Sequence, residues 1–113
     1  MVMDSVNHLI ISGALERNPS VRFREDGTCV CSGSLRLDEV GAQGTVFKIF
    51  VPFDAYGKAA EALGERQVGD VVMLQGKLFW RKYHTKDGTE KSGLALMVQK
   101  CTVLVSSQAA VAV

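Results

Sequence analysis

Aromatic and basic residues interleave in the segment Lys77-Leu78-Phe79-Trp80-Arg81-Lys82-Tyr83. Side chains alternate across a β-strand, so a strand here puts Lys77, Phe79, Arg81 and Tyr83 on one face and continues the apolar series Val72, Leu74, Gly76 and Leu78 on the other. The apolar series is the predicted core face. Phe79 and Trp80 are adjacent, so only one can join the basic face; alternation selects Phe79, while a twisted arm extending beyond the barrel would present Trp80. The run from Val46 to Phe53 behaves in the same way. Its odd positions, Phe47, Ile49, Val51 and Phe53, are all apolar and predicted to be core, which leaves Phe50 pointing outward beside Lys48. Between Thr28 and Leu37 the odd positions Cys29, Cys31, Gly33, Leu35 and Leu37 are the apolar set, with Ser32, Ser34 and Arg36 on the outside. Aromatic rings turned to solvent among cations suit binding of single-stranded nucleic acid. Unpaired bases stack on the rings, worth ~1–3 kcal/mol per base, while Lys and Arg follow the phosphates and release counterions.

Turn signals at Asn18-Pro19, Asp26-Gly27, Gly41 with Gly44, Gly64, Gly69-Asp70 and Asp87-Gly88 divide the chain into the elements that must position these residues. Five strands are predicted, at Asn7 to Leu15, Thr28 to Leu37, Val46 to Phe53, Val71 to Tyr83 and Gly93 to Val105. One Ala-rich helix is predicted at Tyr56 to Leu63. Three strands, a helix and two further strands is the element order of an OB-fold, a five-stranded Greek-key barrel in an otherwise all-β chain. Residues 1–105 are read as this one domain, and residues 106–113, SSQAAVAV, as a short flexible extension.

The whole sequence has 113 residues, 47% hydrophobic and 22% charged, which fits a single folded domain and argues against disorder. Thirteen Lys and Arg against twelve Asp and Glu leave a net charge of only +1. Between Lys77 and Lys91, however, Lys77, Arg81, Lys82, Lys86 and Lys91 face only Asp87 and Glu90, so the neutral total conceals a basic arm. The longest wholly apolar runs, Leu94 to Val98 and Ala109 to Val113, fall well short of the ~20 residues of a membrane helix. The opening MVMDSVNHLIIS lacks the basic stretch and long apolar core of a secretory signal, so a cytoplasmic location is expected. Cys29, Cys31 and Cys101 are odd in number and are read as reduced, largely core thiols. Together with His8 and His84 they lack the ligand spacing of a zinc site, and no nucleophile motif or phosphate loop is present. No metal, cofactor, small-molecule substrate or enzymatic activity is therefore expected. The first strand carries apolar residues of both parities, Leu9, Ile11 and Leu15 against Ile10 and Ala14; a strand apolar on both faces needs two covers, and a small barrel supplies one. A homo-oligomer is expected, a tetramer ahead of a dimer.

Over Val6 to Leu104 the sequence resembles the bacterial single-stranded DNA-binding proteins. The resemblance rests on Val6-Asn7 with His8-Leu9-Ile10-Ile11-Ser12-Gly13, Leu15, Asn18-Pro19, Val21-Arg22-Phe23 and Gly27. It continues through Tyr56-Gly57-Lys58 with Ala60-Glu61, then Gly69-Asp70, Val72, Gly76, Leu78, Arg81 and Gly88. It implies stacking roles for Phe50, Tyr56 and Tyr83, two of which alternation also places outward, and brings Lys58 into the binding set with Arg36, Lys48, Lys77, Phe79, Trp80 and Arg81. It further implies a role in replication, recombination or repair, and assembly as a homotetramer with the first strand pairing subunits. Two features depart from the family pattern. The loop Asp38 to Gly44 is short and carries no aromatic, and the sequence ends without a long Gly/Pro-rich, acidic-tipped tail, so recruitment of enzymes through such a tail is not expected. A tail-less relative of the primosomal replication protein type is the alternative within the fold. An OB-fold protein-interaction module that turns its exposed aromatics to another protein is the alternative outside nucleic-acid binding. Packing under a loop or at a subunit interface is the competing explanation for Phe50 and Tyr56, and a solvated hairpin the competing explanation for the basic run.

Overall fold

The computed structural model describes residues 3–106. It has six strands and one helix: β1 (Leu9–Leu15), β2 (Ser20–Phe23), β3 (Cys29–Val40), β4 (Val46–Tyr56), α1 (Lys58–Gly64), β5 (Val71–His84) and β6 (Glu90–Val105). The sheet runs β1-β5-β6-β4-β3-β2, and an additional β1–β3 pairing closes β1, β3, β4, β5 and β6 into a five-stranded barrel with the OB-fold arrangement. Beyond Ser106, the extension read at 106–113 lies outside the described residues.

The hairpins joining β2 to β3, β3 to β4 and β5 to β6 use one turn geometry. In each, a residue donates its N–H to the carbonyl of a Thr four positions on, and the Gly before that Thr donates back: Arg24 with Gly27 and Thr28, Gly41 with Gly44 and Thr45, Thr85 with Gly88 and Thr89. Gly27, Gly44 and Gly88 have φ of 88°, 79° and 85°, the left-handed position that such a bulged turn assigns to glycine. At the β5–β6 tip the Asp87 carboxylate also accepts hydrogen bonds from the Thr85 hydroxyl and the Thr89 N–H, which hold its pKa down at about 2.

Several boundaries differ from the sequence expectation. Residues 20–23 form a sixth strand, because the Asp26-Gly27 turn folds them back onto β3 with Arg22 opposite Val30. The helix begins at Lys58, two residues after its predicted start. The Gly57 N–H still donates to the Cys29 carbonyl as a ladder bond, and its φ of 65° then breaks strand from helix, so Tyr56 is the last residue of β4. Ala60 and Leu63 of α1 are buried, and the helix packs on β3, β4 and β6.

The core gathers Leu15, Cys29, Cys31, Leu35, Phe53, Ala55, Ala60, Leu63, Val72, Leu74, Leu96 and Val98. Burial pushes the Cys31 thiol up from 9.0 to about 11, with Cys29 and Asp54 adding to the shift, so it stays a neutral thiol and a poor nucleophile. Three core assignments are corrected. Phe47 and Ile49 are 49% and 40% exposed, and Leu78 is 40% exposed. The reason is coverage. β4 meets β6 only at Phe53, Asp54 and Ala55, so residues 46–49 form an arm with residues 37–40 of β3 that no other described strand pairs with. β5 and β6 likewise continue past the barrel as a hairpin from Leu78–Leu96 to His84–Glu90.

Candidate nucleic-acid interface

Strand register builds one continuous outer face. Along β3 and β4 the pairs Asp38–Lys48, Arg36–Phe50, Ser34–Pro52, Ser32–Asp54 and Val30–Tyr56 have the same parity. Parallel pairing of Asp54 with Met97 carries that face onto β6, and from there Lys77 (opposite Met97), Phe79 (opposite Ala95), Arg81 (opposite Gly93) and Tyr83 (opposite Lys91) carry it onto β5. Phe50 and Tyr83 stand on β4 and β5, which are not neighbours in the sheet. In the structure β6 lies between them, pairing in parallel with β4 and antiparallel with β5.

An open groove of roughly 480 Å³ lies on this face, bordered by Arg22, Ser32, Asp54, Tyr56, Phe79, Trp80, Arg81, Lys82 and Tyr83. Of the sequence-predicted residues, Tyr56, Phe79, Trp80, Arg81 and Tyr83 come together here. Trp80 and Lys82 border it from alternate strand positions, whose Cβ atoms leave the opposite face of β5. Trp80 is exposed and opposite Leu94. Arg36, Lys48 and Phe50 share the outer face but stand farther along the β3–β4 arm. Phe50 is six residues from Tyr56, so at a rise of ~3.3 Å per residue their backbone positions are about 20 Å apart along the strand. Lys77 is exposed one alternation below Phe79, and Lys58 is exposed at the start of α1, outside the groove.

Electrostatically the groove is more structured than a patch of free cations. The Arg24 guanidinium lies 4.5 Å from the centre of the Tyr56 ring, and that of Arg81 lies 5.5 Å from the Tyr83 ring. Both contacts hold a flat cation against an aromatic face. Arg81 Nη1 also donates to Asp54 Oδ1 at 3.0 Å, and the Ser32 hydroxyl donates to the same oxygen at 2.7 Å. On the arm, Arg36 Nε lies 3.4 Å from Asp38 Oδ1. Arg22, Arg24, Ser32 and Asp54 were not among the sequence-predicted site residues. Arg22 was findable from the Asp26-Gly27 turn, which folds its segment back against β3; Asp54 carried no such signal, since it reads as an ordinary acidic strand end.

Residues 6–104 match the family described as Single-strand binding protein family. The chain belongs to that family. Among relatives of the family, the "Single-stranded DNA-binding protein" of Neisseria meningitidis serogroup B is 30% identical over 105 residues, 88% of this chain and 60% of its own length. The protein of the same description from Deinococcus radiodurans is 27% identical over 95 residues, 79% of this chain and 32% of its own. "Single-stranded DNA-binding protein 1" of Synechocystis is 26% identical over 106 residues, 92% of this chain and 88% of its own. The chain thus spans about 60% of the length of its Neisseria relatives. Family membership accounts for the barrel and for the matches at Val6-Asn7, Tyr56-Gly57-Lys58 and Gly69-Asp70, all within the matched residues. Among the described residues no cluster of His, Cys, Asp and Glu could hold a metal ion, and no helix is long and apolar enough to cross a membrane.

Proposed function

We propose that the protein binds single-stranded DNA by stacking bases on the outer face of the barrel and its arms, in replication, recombination or repair in the cytoplasm, as a binding protein and not as an enzyme. The observation that carries this reading is the groove itself. Tyr56, Phe79 and Tyr83 converge there with Arg22 and Arg81, Arg24 lies against the Tyr56 ring, and Phe50 and Lys48 prolong the same face along the arm. Duplex bases are already stacked and offer these rings no free π-face. The test is a titration of oligo-dT against duplex of equal length. Each phosphate contacted should add ~0.7 to the slope of log affinity against log salt for a single strand. Salt-dependent binding to oligo-dT with little binding to duplex is the expected result; binding indifferent to salt would contradict it.

The same proposal includes assembly with further copies of the chain, a tetramer ahead of a dimer. Ile10 on the outer face of β1 is 53% exposed, so no described part of the chain covers it, and α1 packs elsewhere on the barrel. A second subunit laid on this face would bury it and protect the sheet. Light scattering at micromolar concentration should give a multiple of the chain mass, and a single-chain mass would defeat this part of the proposal.

A further inference from the structure

Two arginines of this interface lie on tyrosine rings, and their charges are not equally free. Arg81, over Tyr83, is half-buried and held at 3.0 Å by the Asp54 carboxylate. Arg24, 4.5 Å from the centre of the Tyr56 ring, is exposed and among the described residues makes no salt bridge. Asp26 is near enough to feel its charge, but that carboxylate accepts the Thr28 N–H at 2.9 Å. The Arg24 backbone is fixed as well, its N–H donating to the Thr28 carbonyl and its carbonyl accepting from the Gly27 N–H. The side chain therefore starts from a braced hairpin and ends on a ring of β4 that borders the groove. On the ring face it covers, the guanidinium stands where a base would. A guanidinium carries its N–H donors in its own plane, so contact through its face leaves them for phosphate oxygens, which it can meet two at a time. An exposed arginine gives up rotamer freedom to grip a phosphate, and one already laid on a ring has given up part of it beforehand.

We propose that Arg24 contacts a backbone phosphate of the bound strand and that Tyr56 is its positioning residue, the ring holding the cation at the rim of the groove. The inference deepens the single-stranded DNA reading and rests on it. The two Arg–Tyr pairs then divide the work. The charge of Arg81 is answered inside the protein by Asp54, whereas that of Arg24 is answered by the strand. A phosphate contact and a stacked base leave different marks on binding: the first releases a counterion and steepens the dependence on salt, the second adds affinity that salt leaves alone.

The experiment titrates a short oligo-dT at several salt concentrations with the native protein, Arg24→Gln, Tyr56→Leu, Tyr56→Phe and the Arg24→Gln/Tyr56→Leu double variant. In Arg24→Gln the slope of log affinity against log salt is expected to fall by ~0.7, so that affinity drops roughly eightfold at about 50 mM salt and roughly threefold at about 200 mM. Tyr56→Leu should lower the slope toward that of Arg24→Gln, and the double variant should go no lower. Tyr56→Phe, which keeps the ring, should restore the native slope. Arg24 is exposed, so Arg24→Gln keeps the fold and decides the phosphate contact even if melting curves show Tyr56→Leu to be unfolded. A native slope in Arg24→Gln overturns the phosphate contact. A native slope in folded Tyr56→Leu, with affinity lowered, overturns the positioning role and makes the ring a stacking surface only. Either leaves DNA binding standing, whereas no salt-dependent binding by the native protein overturns the binding function and this inference together.

Discussion

Alanine at Phe50 or at Tyr83 is expected to weaken single-stranded DNA binding by ~1–3 kcal/mol each while leaving the thermal midpoint almost unchanged. Both rings are largely exposed, on the outer face of different arms, and neither belongs to the core cluster. The loss is therefore expected in affinity and not in folding. Because the two residues lie on separate hairpins and are proposed to stack separate bases, the double variant should lose close to the sum of the single effects. Tyr56 is a less clean probe. Both tyrosines give up a cation–π contact of ~0.5–1 kcal/mol on removal, Tyr83 with Arg81 and Tyr56 with Arg24, but Tyr56 is also half-buried, so its removal disturbs packing as well. Anisotropy titrations beside melting curves separate the two effects. A lowered midpoint with unchanged affinity would mean that the rings pack against protein.

Strand alternation made this face legible in the sequence. Period-2 patterning depends only on local backbone geometry, so Lys48 and Phe50, and Lys77, Phe79, Arg81 and Tyr83, could be assigned to one side of their strands without knowing the fold. The element order gave the barrel for a similar reason. What alternation lacks is any account of neighbours. That β6 separates β4 from β5, and that Arg22 is folded against Val30, are consequences of long-range pairing. Asp54 shows the same gap from another side: its parity is correctly outward, yet Ser32 from β3 and Arg81 from β5 enclose it, and neither is near it in sequence. The helix start was misplaced because Tyr56 and Gly57 suit a helix entrance by composition, while the ladder bond to Cys29 keeps them in the strand.

Phe53 and Ile49 turn that gap into a measurable contrast. They lie on the same face of β4, four residues apart, and by patterning alone are equivalent. Phe53 is fully buried, opposite Gly33 on β3 and Leu96 on β6, and its ring fills the space above Gly33, where an added Cβ would come within 2.7 Å of Cζ. Phe53→Ala should cost ~3–5 kcal/mol, because the β3 and β6 backbones on either side cannot close over the cavity. Ile49 has the arm beneath it and no other described strand above it, so in the separate chain Ile49→Ala should cost about 1 kcal/mol or less, the fraction of its transfer free energy that burial realises. Denaturant unfolding at two protein concentrations checks both values. The Phe53 cost should not depend on concentration. An Ile49 cost that rises with concentration would show that another copy of the chain covers this arm, since stabilisation by association follows mass action whereas a core cavity does not.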